Sequence, residues 1–339
     1  SFARSPTCCS GTARRSPTGS ATPDPKRRDD PVREPGRAPE AAGDADVGAR
    51  LMLVVLCVIW GATWPIMRIA LYEIPPLSMR TVTAALGSLT LYVACRVQGR
   101  SLRIATAADW LHLTVGSLLN IVAFTVFGSF AQLSAATSRV TILAYTMPIW
   151  SVVFAWAILR ERPNRLQGTA LLLCAVGLAI LIYPLAETKI PPGIWLALLT
   201  GVCWAAGTVY LKWAQIKADP MAIASWQVTI AFLFTTAFML IFEGHLHFAH
   251  ASPLALLCTA STGFLANGVA YGLWFAIVRR LSAMTASLGV LGSPAIGVVA
   301  SILILGERPT ATDFFGFALI FAASACVLFT RQPKQPANA

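Results

Sequence analysis

From residue 51 onward, apolar residues form long runs, and each run is long enough to cross a hydrocarbon core, which takes about 20 helical residues. The connections between runs are too short to hold an extramembrane domain. The pattern therefore predicts an all-α membrane protein with ten transmembrane helices. The predicted spans lie near residues 51–72, 77–95, 109–130, 134–158, 166–184, 192–213, 219–242, 253–277, 282–305 and 312–330.

Composition supports a membrane protein rather than a soluble one. Hydrophobic residues make up 56% of the 339 positions and charged residues only 12%, whereas a soluble globular chain carries roughly 25% charged residues. The net charge of +11 does not indicate a nucleic-acid binder, because Lys and Arg occur singly or in twos and threes between apolar runs. We expect a lipid bilayer and a small solute as partners and no nucleic acid, with a homodimer as an open alternative.

Residues 1–50 differ from the rest of the chain. They hold 9 of the 26 basic and 7 of the 15 acidic residues, and they show no apolar periodicity. Such a composition predicts a disordered basic tail. The tail has no apolar middle region, so it is not a signal peptide; initiation at Met52 and a processed or added tail are both compatible with it.

The distribution of cations predicts the orientation. With the N-terminus inside, the cytoplasmic loops contain twelve Lys or Arg residues, and the opposite loops contain only Lys189 and Arg308. Because cytoplasmic loops of membrane proteins are enriched in Lys and Arg, we expect both termini in the cytoplasm, including a short cytoplasmic tail at residues 331–339. An even number of spans is consistent with this arrangement.

The two halves of the chain resemble each other. Residues 148–163 (PIWSVVFAWAILRERP) match residues 294–309 (PAIGVVASILILGERP) at an offset of 146. Asn120 begins a segment that matches the one beginning at Asn267, and Trp60 matches Trp204 at a similar offset. Five spans per half make the halves cross in opposite senses, so we expect two inverted five-helix repeats at residues 51–184 and 191–330. Inverted repeats are typical of secondary transporters whose substrate site lies between the halves.

The sequence resembles the EamA family of the drug/metabolite transporter superfamily. The resemblance rests on WGATWP at residues 60–65, on the Pro-to-Glu-Arg segments that close each fourth span, and on the 5+5 layout. It covers about residues 51–330. It implies ten helices, a central cavity lined mainly by helices 1, 3, 4, 6, 8 and 9, and metabolite transport, often efflux.

Asn120 and Asn267 form a symmetric polar pair. A buried amide either bonds a neighbouring helix or contacts a solute, and both alternatives stay open. Aromatic residues one and two turns along the same faces favour a solute contact. Other aromatic residues extend the set, with interfacial anchoring or packing as their alternative role. The substrate-binding candidates are Asn120, Phe124, Tyr145, Asn267, Tyr271, Trp274, Trp60, Trp64 and Trp204.

Three arginines lie inside predicted spans near the outer face: Arg68, Arg80 and Arg139. Charges within the membrane are expensive and mark functional sites, so such a cluster is a candidate site for an anionic group such as an amino-acid carboxylate. The alternatives are snorkelling to the headgroups and pairing with Glu73. Arg139 is the substrate-binding candidate among them, because the repeat places Thr285 rather than a cation at its counterpart.

Pro148 and Pro294 fall in the middle of predicted spans. A proline there removes a backbone donor and clashes with the carbonyl four residues earlier, which frees the carbonyls of Ala144 and Val290. We expect the two prolines to act in gating, with a static kink as the alternative.

The chain lacks the parts of a catalytic or metal site. No HExxH, Walker loop or GxSxG element is present, and no acidic residue lies near the middle of a span. Glu161 and Glu307 close spans, where we expect them to pair with Arg or cap the next helix. No cofactor or metal is expected. The function we expect is alternating-access transport of a small metabolite across a bacterial inner membrane; the alternatives are a passive channel or facilitator, a membrane enzyme and a structural membrane partner.

Overall fold

A computed structural model of the protein describes residues 40–186, 190–278 and 292–328. All regular secondary structure within these ranges is helical. Most of the predicted N-terminal tail, the predicted C-terminal tail at residues 331–339 and the start of the predicted ninth span lie outside them. Thr285 and Val290 also lie outside the described residues.

The first half of the chain forms seven α-helices and one π-helical segment, which we call π1. In order they are α1 (Glu40–Leu71), α2 (Pro76–Val97), α3 (Ala107–Ser117), π1 (Leu118–Ala123), α4 (Phe124–Ser134), α5 (Thr137–Ala144), α6 (Met147–Leu159) and α7 (Arg165–Ala186). Helix α1 begins eleven residues before the predicted start of the first span, in an Ala-rich stretch with high helix propensity.

The described part of the second half forms six α-helices and a second π-helical segment, π2. In order they are α8 (Pro192–Ala214), α9 (Pro220–Phe242), α10 (Pro253–Ser261), π2 (Thr262–Val269), α11 (Ala270–Val278), α12 (Gly292–Leu305) and α13 (Ala311–Leu328). Proline opens α8, α9 and α10, where its missing N–H costs no hydrogen bond. At the end of α9, Gly244 adopts a positive φ of 81°, and its N–H donates to the carbonyl of Met239.

Seven helices within the described ranges are long and apolar enough to cross a membrane, and two shorter apolar helices follow them. The seven are Leu51–Leu71, Ala107–Ser134, Thr137–Leu159, Arg165–Pro184, Pro192–Ala214, Pro220–Phe242 and Pro253–Trp274; the two shorter ones are Gly292–Leu305 and Ala311–Cys326. Helix α2 has 22 residues but is less apolar, since it carries Arg80 and a run of Ser and Thr residues. Each predicted span therefore has at least part of a described helix at its position. For α2, only the length of the helix supports a crossing of the membrane.

The helix of the predicted fourth span is broken just before Pro148. Helix α5 ends at Ala144, a turn follows at Tyr145 and Thr146, and Pro148 lies in the first turn of α6. The Thr146 hydroxyl donates to the carbonyl of Leu143 over 2.6 Å. Gly201 of α8 lies against the Ala144 carbonyl, so close that an added Cβ would be 2.8 Å from it. The break predicted from Pro148 is present, and neighbouring groups cover the backbone that it exposes.

The third and eighth predicted spans each contain a π-helical segment in mid-helix. Segment π1 joins α3 to α4 and contains Asn120, and π2 joins α10 to α11 and contains Asn267. These two residues stand at matching positions of the repeat. A π segment holds one extra residue in a helical turn and is frequent at functional sites. Because both asparagines lie in such a segment, the similarity between the two halves extends to this local irregularity.

Helices of the first half pack mainly against helices of the second. Helix α2 packs along α9 and π2, α4 along α8, and α7 along α13. The largest buried apolar cluster mixes residues of both halves, such as Trp64 and Met67 of α1, Ile194 of α8 and Phe317 of α13. Neither half therefore buries its apolar surface alone.

Glycines allow the closest of these helix contacts, and Gly87 offers a test. A Cβ on Gly87 would lie 2.5 Å from the Cβ of Asn267 in π2. We expect Gly87→Ala to lower the free energy of unfolding, because overpacking costs about 1–3 kcal/mol and the better helix propensity of Ala returns only about 1 kcal/mol. Thermal unfolding in detergent micelles measures the change.

Gly168→Ala in α7 is the matched control, since nothing lies within 4 Å of its added Cβ. It should leave stability unchanged or raise it by up to about 1 kcal/mol. Equal effects of the two substitutions would contradict the close approach of α2 and π2.

Candidate functional site

Asn120 connects π1 to the opposite half of the molecule. Its Nδ2 donates to the carbonyl of Trp204 over 3.1 Å and to the hydroxyl of Thr208 over 2.8 Å. The side chain is only 6% exposed, and Gly207 of α8 lies directly against it, where an added Cβ would be 2.9 Å from the Asn120 Cβ. Both amide hydrogens are therefore engaged by α8, and the carbonyl oxygen is the part of Asn120 left to meet a solute.

Asn267 makes the reciprocal connection from π2. Its Nδ2 donates to the carbonyl of Thr83 in α2 over 3.3 Å, and its Cβ packs against Gly87. Each asparagine thus bonds a helix of the other half from within its π segment. The role of bonding a neighbouring helix is present at both positions, and contact with a solute stays a prediction.

Three of the predicted aromatic side chains form one chain of ring contacts. The Trp64 and Phe124 ring centroids are 6.1 Å apart with planes at 70°, and the Phe124 and Trp204 centroids are 4.8 Å apart at 59°. The rings belong to α1, α4 and α8, so they come from both halves. Tyr145, at the break between α5 and α6, packs against the same buried cluster as Trp64 and Phe124.

A second group of rings lies around Trp60, one turn before Trp64 on α1. The ring centroids of Tyr271 and Trp274 are each 6.2 Å from that of Trp60. The Trp60 Nε1 donates to the carbonyl of Ala266 over 3.3 Å, which fixes the indole against π2. Edge-to-face contacts of this kind contribute about 0.5–1.5 kcal/mol each beyond the burial of apolar area.

The two ring groups meet through a shared apolar cluster. Trp204 of the first group and Tyr271 of the second both pack against the buried side chains of Ile121, Val122 and Ala231. The structure therefore brings together, around π1 and π2, the nine predicted asparagine and aromatic candidates. The sequence identified the two asparagines from the repeat, and the aromatic residues as neighbours on the same helix faces or as extensions of that set; their contact with a solute stays a prediction.

Gly61 explains why the WGATWP segment contains a glycine between its aromatic residues. An added Cβ on Gly61 would lie 2.7 Å from the carbonyl oxygen of Ser293 and 2.8 Å from the side chain of Ile296, both on α12. Pro294, a predicted gating residue, is buried in the first turn of α12. The second proline therefore lies beside α1 at the level of Trp60, while residues 279–291, which precede it, lie outside the described part of the chain.

No described polar contact joins Arg139 to the two ring groups. Its Nε lies 2.7 Å and its Nη2 3.1 Å from the two carboxylate oxygens of Asp313 in α13. The Arg139 side chain is 21% exposed and that of Asp313 only 6%. The partner considered from the sequence was Glu73, and this was wrong: Glu73 accepts hydrogen bonds from the N–H and hydroxyl of Ser252 instead. Substrate binding by Arg139 stays a prediction, and it would have to compete with Asp313.

Three carboxylates bind the first N–H groups of helices in the opposite half. Glu243 accepts from the N–H groups of Leu77 and Ser78 at the start of α2, and Glu73 accepts from Ser252 at the start of α10. The hydrogen bonds from the N–H and hydroxyl of Ser252 lower the pKa of Glu73 below its usual value, and they outweigh the opposite effect of desolvation. A carboxylate at a helix N-terminus satisfies orphan donors and interacts favourably with the helix dipole.

Glu307 is the third of these caps, and it comes from the second Glu-Arg-Pro segment. It accepts from the N–H groups of Thr137 and Ser138 over 2.6 and 2.9 Å, at the start of α5. The sequence predicted that it would cap the next helix or pair with Arg; the helix that it caps lies instead 170 residues earlier. Glu161, its counterpart in the first half, lies 3.0 Å from the Nζ of Lys212.

The opposite ends of the helices are joined by ion pairs. Arg100 lies 2.8 Å from the carboxylate of Asp219, which also accepts from the N–H of Met221 at the start of α9. Burial raises the pKa of Asp219, but the hydrogen bonds and the charge of Arg100 outweigh it, so the pKa lies below its usual value. Both ends of the bundle thus carry polar links between the halves.

Among the described residues, a groove of about 520 Å³ lies between the start of α2, α4 and the end of α9. It is lined by Leu77, Val126, Phe130, Phe238, Phe242 and Glu243. Phe242 is 75% exposed, which is expected of a surface that faces lipid. None of the predicted site residues lines this groove.

The comparison with known protein families agrees with the two-part repeat. The sequence profile of the EamA-like transporter family matches residues 48–183 and again residues 191–329. Together the two matches cover most of the chain. The protein belongs to the EamA-like transporter family. This confirms the resemblance found in the sequence, and the family is part of the drug/metabolite transporter superfamily.

Relatives of this EamA-like protein are named as transporters. It is 27% identical over 291 residues to the uncharacterized transporter YvbV of Bacillus subtilis (strain 168), an alignment that covers 85% of this chain and 94% of YvbV. It is 24% identical to the uncharacterized transporter YoaV of the same organism, with 81% and 94% covered. An uncharacterized transporter of Archaeoglobus fulgidus is 22% identical, with 84% and 86% covered.

A solved crystal structure shares the fold. It aligns with a TM-score of 0.58 and 19% sequence identity, over 83% of this chain and 96% of that chain. Family, relatives and apolar helices together show that the EamA-like protein is an integral membrane protein of a transporter family. They point to transport rather than to enzyme catalysis.

The Arg139–Asp313 pair generates a prediction about stability. Arg139→Gln leaves the buried Asp313 carboxylate without its cation, so we expect the free energy of unfolding to fall by about 2–4 kcal/mol, somewhat less than for a fully buried pair. The double variant Arg139→Gln/Asp313→Asn should recover part of the loss, because no unpaired charge remains. Denaturant titration in detergent micelles measures both.

The exposed pair of Lys212 and Glu161 is the control. Their side chains are 46% and 55% exposed, so Lys212→Gln should change stability by less than about 1 kcal/mol. An Arg139→Gln variant as stable as wild type would show that the pair with Asp313 does not form in the protein.

Proposed function

We propose that this EamA-like protein is a secondary transporter that moves a small metabolite, such as an amino acid or a related compound, by alternating access. The observation that carries the proposal is the reciprocal placement of Asn120 and Asn267. Each lies in a π segment at the same position of its half, and each bonds a helix of the other half. A site built from two symmetric elements at the boundary between repeats is the arrangement that alternating access requires.

The proposal includes ten membrane crossings arranged as two inverted repeats of five. Helix α2 would be the additional crossing, since 22 residues of α-helix span about 33 Å. Its polar residues face protein rather than lipid: Ser78, Arg80 and Thr83 are buried. Helices α12 and α13 would belong to the last two crossings. With five crossings in each half, the halves run in opposite senses.

The contacts between the rings favour a carrier over a passive channel or facilitator. The Phe124 and Trp204 rings, from opposite halves, are in contact at 4.8 Å between centroids. A solute that passes between the halves must separate these rings, and it therefore moves only with a change of conformation. A channel would need a continuous polar path, whereas aromatic rings of both halves meet in contact at this point.

We also propose the bacterial inner membrane as the location, with both termini in the cytoplasm. In this orientation the Glu73, Glu243 and Glu307 caps lie on the outer side. The ion pairs of Arg100 with Asp219 and of Lys212 with Glu161 lie on the cytoplasmic side. The excess of cations in the proposed cytoplasmic loops supports this assignment.

Transport is tested by counterflow in proteoliposomes loaded with a panel of amino acids and related metabolites. We expect one solute class to exchange faster than in empty liposomes, with saturation. Trp204→Ala should reduce that exchange at least tenfold, because it removes the indole that contacts Phe124 between the two halves, while the backbone carbonyl that Asn120 bonds stays in place. Trp156→Ala is the matched control, since Trp156 is 56% exposed and should keep exchange within about twofold of wild type, as expected for a surface substitution.

Two results would contradict the carrier. Flux that rises without saturation would favour the channel or facilitator. Absence of exchange for every solute of the panel, in liposomes that contain folded protein, would reject metabolite exchange.

Orientation is tested by labelling single cysteines with a membrane-impermeant maleimide, in a variant whose native cysteines are replaced. Arg308→Cys should react in intact spheroplasts, and Lys217→Cys only after the membrane is opened. Both positions are exposed and lie in short connections at opposite ends of the helices. Labelling of Lys217→Cys from outside would reverse the proposed orientation.

A further inference from the structure

Arg80 is buried in the interior of the helix bundle. It lies one turn into α2 and is only 6% exposed. Its Nε donates to the hydroxyl of Ser129 in α4 over 2.5 Å, and its Nη2 contacts the sulfur of Met67 in α1. Hydroxyl and thioether are neutral groups, and a thioether is a weak acceptor. The guanidinium therefore has no strong acceptor for its outer nitrogens.

No carboxylate of the described residues compensates the charge of Arg80. Each described acidic side chain from residue 51 onward bonds another group. These acidic residues are Glu73, Asp109, Glu161, Asp219, Glu243, Glu307 and Asp313. A buried cation without a counter-charge is costly. A cation at this position despite that cost indicates that an anion from outside the described protein binds to it.

Gln132 is a second, independent sign of a missing ligand. It is 0% exposed, and both its Nε2 and its Oε1 lack a hydrogen-bond partner. It lies three residues after Ser129 on α4, so the two side chains share a helix face. Buried amides almost always find partners. An unpartnered amide one helical turn from the hydroxyl that accepts from the guanidinium offers a donor on the same face of α4.

We infer that Arg80, Ser129 and Gln132 form the subsite that binds the carboxylate of the transported solute. The inference rests on the proposed carrier function and names its substrate class, a small monocarboxylate with an apolar body. The planar guanidinium matches the two oxygens of a carboxylate. In this structure the Met67 sulfur contacts the Nη2 of Arg80. The Met67 side chain is flexible, so a bound carboxylate can displace it.

The surroundings select a single negative charge and an apolar body. One guanidinium and neutral donors balance one charge, whereas a phosphate dianion would need a second cation. The nearest cation in the sequence of α1 is Arg68, and its guanidinium lies over the ring of Tyr72. Next to Ser129 on α4, Gly128 leaves room for one carbon atom, since an added Cβ would lie 3.6 Å from the Trp64 ring. A larger apolar body would enter there only when the rings of the two halves move apart.

The test measures binding rather than transport. Thermal unfolding of the purified full chain in detergent is followed with acetate, benzoate and leucine, each against its amide, which lacks the carboxylate charge: acetamide, benzamide and leucinamide. Inorganic phosphate is added as a separate probe. We expect at least one carboxylate to raise the melting temperature in a saturable way and its amide to have at least a tenfold weaker effect.

The variants separate the subsite from a structural role. Arg80→Met should abolish the carboxylate effect and, without ligand, unfold at the wild-type temperature or above, because an uncompensated charge is removed. Gln132→Leu should weaken carboxylate binding severalfold without loss of stability. Arg68→Met is the matched control and should bind as wild type does. If Arg80→Met fails to fold, Gln132→Leu and Ser129→Ala replace it, and each should weaken the effect of the carboxylate on the melting temperature.

Several outcomes would overturn the inference. These are no carboxylate effect in wild type, equal effects of acid and amide, stabilisation by phosphate alone, and full carboxylate binding in both Arg80→Met and Gln132→Leu. Because unfolding reports binding alone, a protein that binds carboxylates but exchanges nothing in liposomes would keep this subsite and contradict the carrier. Exchange of solutes that lack a carboxylate would support the carrier and contradict this subsite.

Discussion

The structure depends on one constraint: within lipid, every backbone N–H and C=O must find its partner inside the protein. Regular helix satisfies most of them, and the irregular places show how the rest are met. At the break before Pro148, the hydroxyl of Thr146 bonds the carbonyl of Leu143, and Gly201 brings α8 against the exposed backbone. At helix starts, the carboxylates of Glu243 and Glu307 accept the first N–H groups. Irregular backbone therefore persists only where another helix covers it.

The same constraint makes the two halves dependent on each other. The carboxylate caps, the asparagine amides and the Arg139–Asp313 pair all connect groups that lie more than 80 residues apart in the chain, in opposite halves. A change of conformation between the halves must exchange some of these bonds for others. At the capped end the bonds of Glu243 and Glu307 are part-buried, while the pair of Lys212 with Glu161 is exposed and weak. We infer that the capped end is the one that holds the halves together in this structure.

Much of this architecture follows from the sequence, since it is encoded locally. Apolar runs predicted a helix at each span, Pro148 predicted the break, and the repeat identified Asn120 and Asn267 with the rings that surround them. What the sequence did not predict is the choice of partners. Asp313 lies 174 residues from Arg139, and no local pattern distinguishes it from Glu73. The π segments were also missed; in them Asn120 packs against Gly207 and Asn267 against Gly87, contacts that exist only in the assembled bundle.

Arg80 and Arg139 show why partners matter more than position. Both are arginines near the start of their helices, and the sequence treated them as members of one cluster. Asp313 pairs with Arg139, so an anionic ligand at Arg139 would have to compete with this carboxylate. Arg80 is more deeply buried and has only Ser129 and Met67 as contacts. Since the cost of a buried charge grows as its surroundings become less polar, the arginine without a carboxylate has the larger energy to gain from a bound anion. Its partner Ser129 lies one helical turn from the unpartnered amide of Gln132.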